Sequence, residues 1–396
     1  MRIVLFTGKG GVGKSTLAAA TAVSAARSGS RVLVLSTDTA HSLADALDVP
    51  PSGEPVLVEP RLWLQHVDTQ QRFEQSWATI EAYLRQMLAT VGVEPFAAAE
   101  MTVLPGAEEV LALLEVRAAA MSDAYDVLVV DCAPSAETLR LLALPEAIGW
   151  YLDRILPAQR RAVQAFKPLL TRAAGVPMPD DDVFTAVQRL CADLDDTRRI
   201  LTAPGASVRL VMTPERVVLA ETRRTYSVLR MFGHNVDGVV VNRMFPSGTS
   251  DEWRAGWVRA QAEVRDDIAD SFVGLPIWEV PYAASEPRGA DALSALADVI
   301  YAAKAPLPEA ASRSLELMGS AEAPVVQMPL PLVDSDAVDL ARRGDELIVT
   351  VGSYRRFVTL PAGLGQRDVV GARVRDEMLQ VRFGEAAGTG RTGEGR

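Results

Sequence analysis

The stretch Gly8–Ser15, GKGGVGKS, directly follows the apolar run RIVLFT at residues 2–7. It fits two phosphate-binding patterns at once. Gly8, Gly10 and Gly13 spell G-x-G-x-x-G, a dinucleotide fingerprint. Gly8, Gly13, Lys14 and Ser15 spell G-x-x-x-x-G-K-S, a triphosphate P-loop. The dinucleotide reading has support: the loop joins a strand to a helix, and Asp38 follows the second strand, about where a ribose-binding acid lies.

Three features favour a triphosphate. Lys14-Ser15 follow the last glycine; in a P-loop that lysine reaches the β- and γ-phosphates and the hydroxyl coordinates Mg²⁺, whereas a dinucleotide site needs neither. A later apolar strand, DVLVVD, ends in Asp131, the place for an acid that holds the metal from a neighbouring strand. Asp38 lies in the polar stretch TDTAHS, not at the strand's last position. There it is either a helix N-cap or a carboxylate facing the γ-phosphate, able to orient the attacking water. ATP with Mg²⁺ is therefore the expected ligand pair.

Only four of the 40 basic residues are lysines: Lys9, Lys14, Lys167 and Lys304. Two of them sit inside this one loop, in a chain that otherwise uses arginine. The positions call for a compact ammonium on a flexible stem, which a guanidinium fork does not replace. One lysine suffices for the bound phosphates. Lys9, near the loop's start, is placed to reach a nucleotide held by a second subunit, and an isologous dimer supplies two such contacts.

Outward from the loop, apolar β-branched runs alternate with helical patterns. Strands are expected at Ile3–Thr7, Val32–Ser36, Leu62–Val67, Val127–Asp131, Val208–Thr213, Val236–Asn242 and Ile277–Val280, mostly apolar on both faces, as in a parallel sheet covered on each side. A helix begins at Lys14; another begins near Pro214, with proline in its first turn. Two longer helical regions interrupt the alternation. Gln70–Val91 carries Phe73, Trp77, Ile80, Leu84, Met87, Leu88 and Val91 at helical spacing. Pro145–Leu201 carries Ile148, Leu152, Ile155 and Leu156, then Val183, Val187, Leu190 and Leu194. These stripes are either core packing or the walls of a groove for a partner helix. Pro, Ala, Ser and Glu dominate residues 304–328, as in a linker. Four alternating strands follow, Glu346–Val351, Arg355–Leu360, Asp368–Val374 and Met378–Phe383, with Gly352-Ser353 as a hairpin turn. The expected fold is thus an α/β P-loop domain with a mostly parallel sheet over residues 1–303. Helical insertions lie at about 70–121 and 145–201. A small antiparallel β-sandwich covers 329–384, and a disordered tail covers 385–396.

Composition narrows the function. The chain has 396 residues and a formal net charge of −11, which argues against a nonspecific grip on nucleic acid or anionic lipid. No apolar run approaches the roughly 20 residues of a membrane span. The two cysteines, Cys132 and Cys191, form no C-x-x-C pair for zinc or redox chemistry. A cytoplasmic location is expected.

These motifs resemble the ArsA family: arsenical-pump ATPases and the ATPase that targets tail-anchored membrane proteins. KGGVGKS is shared with the wider MinD/ParA class. STDTAHSLAD resembles the family's first switch and DCAPSAETLRLLALP its second. MTPERVVLAETRRTYSVLRMFG, VVVNR and VPYAASEPRGADAL resemble the segments that follow, the last on the adenine side. The resemblance covers about residues 1–303, and the C-terminal strands resemble the α-crystallin-like domain that some members append.

The resemblance implies roles for individual residues. Lys14 binds the β- and γ-phosphates and Lys9 acts across the dimer. Ser15 ligates Mg²⁺, and Thr16 approaches the α-phosphate. Asp38 positions the water, Asp131 supports the metal, and Asn242 faces the adenine. Gly8, Gly10, Gly11, Val12 and Gly13 complete the cradle. Cys132 stands where the family usually has threonine, and Ala136-Glu137 where it has Gly-His. Because the chain is one ATPase unit and not two fused, a dimer has to form between chains. The expected function is a homodimeric ATP-driven switch that handles a hydrophobic protein client; the alternative is the energising subunit of an arsenite or other anion pump with a membrane partner.

Overall fold

The structure, a computed structural model, describes residues 1–38, 41–67, 107–133, 135, 138–140, 142–143, 181–248, 250–302, 305–308, 315–320, 323–361 and 363–386. The seven strands expected before residue 303 all form. They are β1 (Arg2–Thr7), β2 (Val32–Ser36), β4 (Leu62–His66), β5 (Val127–Asp131), β6 (Ala206–Met212), β7 (Val236–Met244) and β8 (Ile277–Pro281). An eighth, β3 (Val56–Glu59), runs antiparallel along one edge, giving the order β3-β4-β2-β5-β1-β6-β7-β8. The other pairings are parallel. β2, β5 and β6 are buried at every position, which explains their nearly unbroken apolar sequences. Parallel strands bring their carboxyl ends to one edge of the sheet, where ligands bind in such folds.

The helices are α1 (Lys14–Arg27), α2 (Ser42–Leu47), α3 (Ala107–Met121), α4 (Asp181–Thr202), α5 (Arg216–Met231), α6 (Glu252–Ser271) and α7 (Gly289–Tyr301). α1 buries an alanine-rich surface, and short side chains let it lie close to the sheet. A polar network fixes it. Arg209, fully buried on β6, pairs with Asp237 on β7 (2.8 Å) and lies 4.5 Å from the Trp278 ring. Arg209 also donates to the Tyr301 hydroxyl (2.8 Å), which contacts the Thr21 hydroxyl at 2.5 Å. Thr21 already donates to the Leu17 carbonyl, so Tyr301 is the donor to Thr21. One chain of hydrogen bonds therefore ties α1 and α7 to the sheet. Removing one partner of such a buried ion pair costs about 3–5 kcal/mol.

Three expectations need correction. Pro214 lies outside α5: Glu215 is the N-cap, and its carbonyl accepts the first helical bond from Leu219 (2.8 Å). Residues 304–328 contribute strands: β9 (Glu316–Gly319) and the start of β10 (Pro324–Pro329). β9 is exposed throughout and β10 has proline at both ends, so the stretch reads like a linker. β15 (Met378–Ala386) runs past Phe383 into the segment expected as tail. Of the two helical stripes, Gln70–Val91 lies outside the described residues, as does the other stripe before residue 181. Within α4, Leu194 is buried in the core and Leu190 packs partly against it.

The C-terminal unit adds β11 (Val338–Arg343), β12 (Glu346–Val351), β13 (Tyr354–Thr359) and β14 (Arg367–Arg375). Two antiparallel sheets form, β14-β15-β10-β9 and β11-β12-β13. Val326, Met328, Leu379, Val381 and Phe383 on one, and Leu347, Val349 and Val358 on the other, are buried at alternate positions. Facing apolar sides of two sheets account for that burial. Val351 pairs with Tyr354 across Gly352-Ser353, the expected two-residue hairpin. The unit rests on α5. The Ser227 hydroxyl donates to the Pro331 carbonyl (2.7 Å), and Arg356 donates to the Met231 carbonyl.

Candidate active site

The loop after β1 is shaped by glycine where nothing else fits. Gly13 caps α1 at φ 94°, and a Cβ there would stand 2.4 Å from the Asn242 amide nitrogen. At Gly8 a Cβ would meet the Val211 carbonyl oxygen at 2.0 Å. Gly10 and Gly11 are exposed at the loop's crest, and Val12 is buried beneath it. α1 starts at Lys14, so its free N–H groups point out of the loop, as anion binding requires. Lys14 is buried, and its ammonium donates to the Lys9 carbonyl across the loop at 3.4 Å, a long bond that a phosphate oxygen readily replaces. The Lys9 side chain is half-exposed, while Ser15 and Thr16 open α1 half-buried.

Asp131 ends β5, beside β1, at the level of Phe6. It is fully buried, and neither carboxylate oxygen accepts a hydrogen bond of ordinary geometry. Burial pushes its carboxyl up to about 7; the nearby Ser15 hydroxyl and Lys14 ammonium pull it down, and Asp38 pushes it further up. A buried carboxylate without donors is a costly arrangement unless a cation completes it. Oxygen donors from a carboxylate and a hydroxyl suit Mg²⁺, so the residues present fit that ion.

Asp38 follows β2. Ser36 Oγ donates to the Asp38 carbonyl (3.2 Å) and accepts from the Asp38 N–H (3.3 Å). The N-cap of α2 is His41, not Asp38. Asn242, near the end of β7, donates to the Val12 carbonyl (2.8 Å) and accepts from the Arg243 N–H (2.9 Å). That leaves one amide hydrogen for another acceptor. The structure thus gathers Gly8, Lys9, Gly10, Gly11, Val12, Gly13, Lys14, Ser15, Thr16, Asp38, Asp131 and Asn242 at the carboxyl edge of the sheet.

Two features of this edge escape sequence reading. Ser135 bridges the loop to α5: its N–H donates to the Gly8 carbonyl (3.2 Å) and its hydroxyl to Glu221 (2.5 Å). His66, at the end of β4, is buried beside His41, with ring centroids 4.8 Å apart. The chain has three histidines, and two of them meet here; that scarcity was the available signal.

The family profile described as anion-transporting ATPase matches residues 1–302, three quarters of the chain. The chain belongs to the ArsA ATPase family. A second profile, the HSP20-like domain found in ArsA, matches residues 321–383, which takes in β10. Relatives are similar over nearly their whole length. A putative arsenical pump-driving ATPase 1 of Aquifex aeolicus is 32% identical, covering 96% of this chain and 99% of its own. A putative arsenical pump-driving ATPase of Chlorobaculum tepidum is 33% identical, with 97% and 96% covered. An uncharacterized protein of Streptomyces coelicolor is 37% identical, with 97% of both chains covered. The ArsA chain described here is accordingly a nucleotide-binding ATPase. Among its described residues no helix is long and apolar enough to cross a membrane.

Proposed function

We propose that this ArsA ATPase hydrolyses Mg-ATP as a switch between two copies of itself, and that the switch serves a hydrophobic protein client. The observation that carries the metal-dependent reading is Asp131: a fully buried carboxylate that accepts no hydrogen bond of ordinary geometry, beside the P-loop serine. Mg²⁺, held by Ser15 and Asp131, supplies positive charge to the β- and γ-phosphates when bound. The remaining work falls to the chain. Lys14 neutralises the β- and γ-phosphates, Thr16 approaches the α-phosphate, and Asn242 offers its remaining amide hydrogen to the adenine. Asp38 orients the attacking water. Lys9, half-exposed on the loop, reaches the partner's nucleotide, where negative charge builds in the transition state. The HSP20-like unit supports a client that exposes apolar surface.

Hydrolysis assayed against Mg²⁺ concentration tests the first part, with Asp38→Asn and Lys9→Ala beside the wild type. Sedimentation with ATP tests the second. Expected are Mg²⁺-dependent turnover, collapse in both variants, and an ATP-dependent dimer. Wild-type turnover in Asp38→Asn removes the role given to that carboxylate, and full activity as a monomer removes the shared site. Apolar peptides bound equally and negligibly with ATP and with ADP would count against the client.

The names of the relatives favour a second reading, the energising subunit of an arsenical or other anion pump. Cys132 is fully buried and burial raises its thiol pKa, so in this form it is a poor metalloid ligand. Arsenite-stimulated hydrolysis would support the pump, and its absence would weaken it.

A further inference from the structure

His66 sits level with Ser36 on β2, which is level in turn with Asp131 on β5. It is 5% exposed, and neither ring nitrogen has a hydrogen-bond partner. Burial, then the His41 ring, lowers its pKa, while Asp38 and Asp45 pull the other way. A neutral ring carries one N–H donor and one lone pair, and here both go unused. Buried polar groups are nearly always paired, and an orphaned one destabilises the fold. A leucine or phenylalanine would fill the same space without that penalty. The imidazole lies at the carboxyl end of β4, one strand over from the β2 end that leads to Asp38, and the His41 ring packs against it.

We propose that His66 is a positioning residue for Asp38: with Mg-ATP bound, its ring N–H donates to the Asp38 carboxylate and holds it toward the attacking water. This rests on the role given to Asp38 above. That bond would satisfy a ring N–H that has no partner among the described residues.

The test compares the full-length wild type with His66→Leu, His66→Asn, Asp38→Asn and the double variant Asp38→Asn/His66→Leu. Three quantities are read: kcat, KM for Mg-ATP, and the thermal midpoint without nucleotide. His66→Leu is expected to keep or raise the midpoint while kcat falls on the order of 10- to 100-fold and KM stays within about twofold. His66→Asn, with its own donor and acceptor, recovers part of kcat. The double variant is no slower than Asp38→Asn alone, because the histidine acts through that carboxylate. Wild-type kcat in His66→Leu, with Asp38→Asn inactive, overturns the positioning role and leaves Asp38 standing. A joint fall of kcat and midpoint that asparagine does not rescue reduces His66 to a packing residue. Wild-type kcat in Asp38→Asn removes both readings.

Discussion

Replacing Asp131 with asparagine keeps the side chain's shape and removes its charge. The unfolded carboxyl ionises near 3.8, and the folded one near 7, because burial disfavours the anion. Below pH 3.8 both states hold the proton. Between those values the unfolded chain has lost it while the folded chain keeps it. The folded state then binds more protons, so stability falls as pH rises, by about 1.4 kcal/mol per pH unit. The gap of about three pH units amounts to roughly 4 kcal/mol, complete just above about pH 7 and constant beyond it. The Asp131→Asn variant has no such slope. Urea unfolding midpoints of the nucleotide-free protein, in chelator, at about pH 5, 6, 7 and 8 measure the difference. The variant's advantage should grow by roughly 2–3 kcal/mol from about pH 5 to about pH 8. Mg-dependent hydrolysis should meanwhile drop by at least about tenfold, since the substitution removes one of the two oxygens and the negative charge that fit the ion. Parallel pH profiles for the two proteins, or a variant less stable at the alkaline end, would refute the reasoning.

Other outcomes follow from the same geometry. Gly13→Ala should lose nucleotide affinity, measured by calorimetry, because its Cβ drives Asn242 from the loop. The left-handed backbone alone should cost that variant about 1–2 kcal/mol of stability. His234, whose pKa burial depresses to about 4, gives stability above pH 6.5 that is lost as pH falls toward 4. His234→Gln should flatten that acid limb, worth roughly 2 kcal/mol down to about pH 5, in the same unfolding series. Ser135→Ala frees Glu221 and should raise KM for ATP several-fold with little change in thermal midpoint, since its N–H bond to Gly8 remains. A matching loss in Glu221→Gln would show that the hydroxyl contact, and not the serine alone, steadies the loop.

The parallel sheet was legible because its central strands are buried on both faces and say so residue by residue. The phosphate loop was legible because only glycine tolerates its backbone and only lysine its ligand. Elements at edges were not. β3 and β9 are largely exposed, and β11, VDLARR, alternates with charges, so none carries a long apolar run. Pro214 misled by two residues, since proline just outside a helix looks much like proline just inside. Asp131 was readable from its place at a strand end. His66 was not: strand register alone carries it to the neighbourhood of Asp38, and no spacing in the chain encodes that meeting. The Ser135–Glu221 bond joins residues 86 apart for the same reason.

The seat of the β-sandwich on α5 bears on how the gene is cut. A polypeptide stopped at residue 303, where composition invites the scissors, would take the Pro331 carbonyl from Ser227 and the Arg356 donor from the Met231 carbonyl, and bare the flank of the helix that Glu221 also occupies. Such a fragment would be a wounded enzyme, not a minimal one.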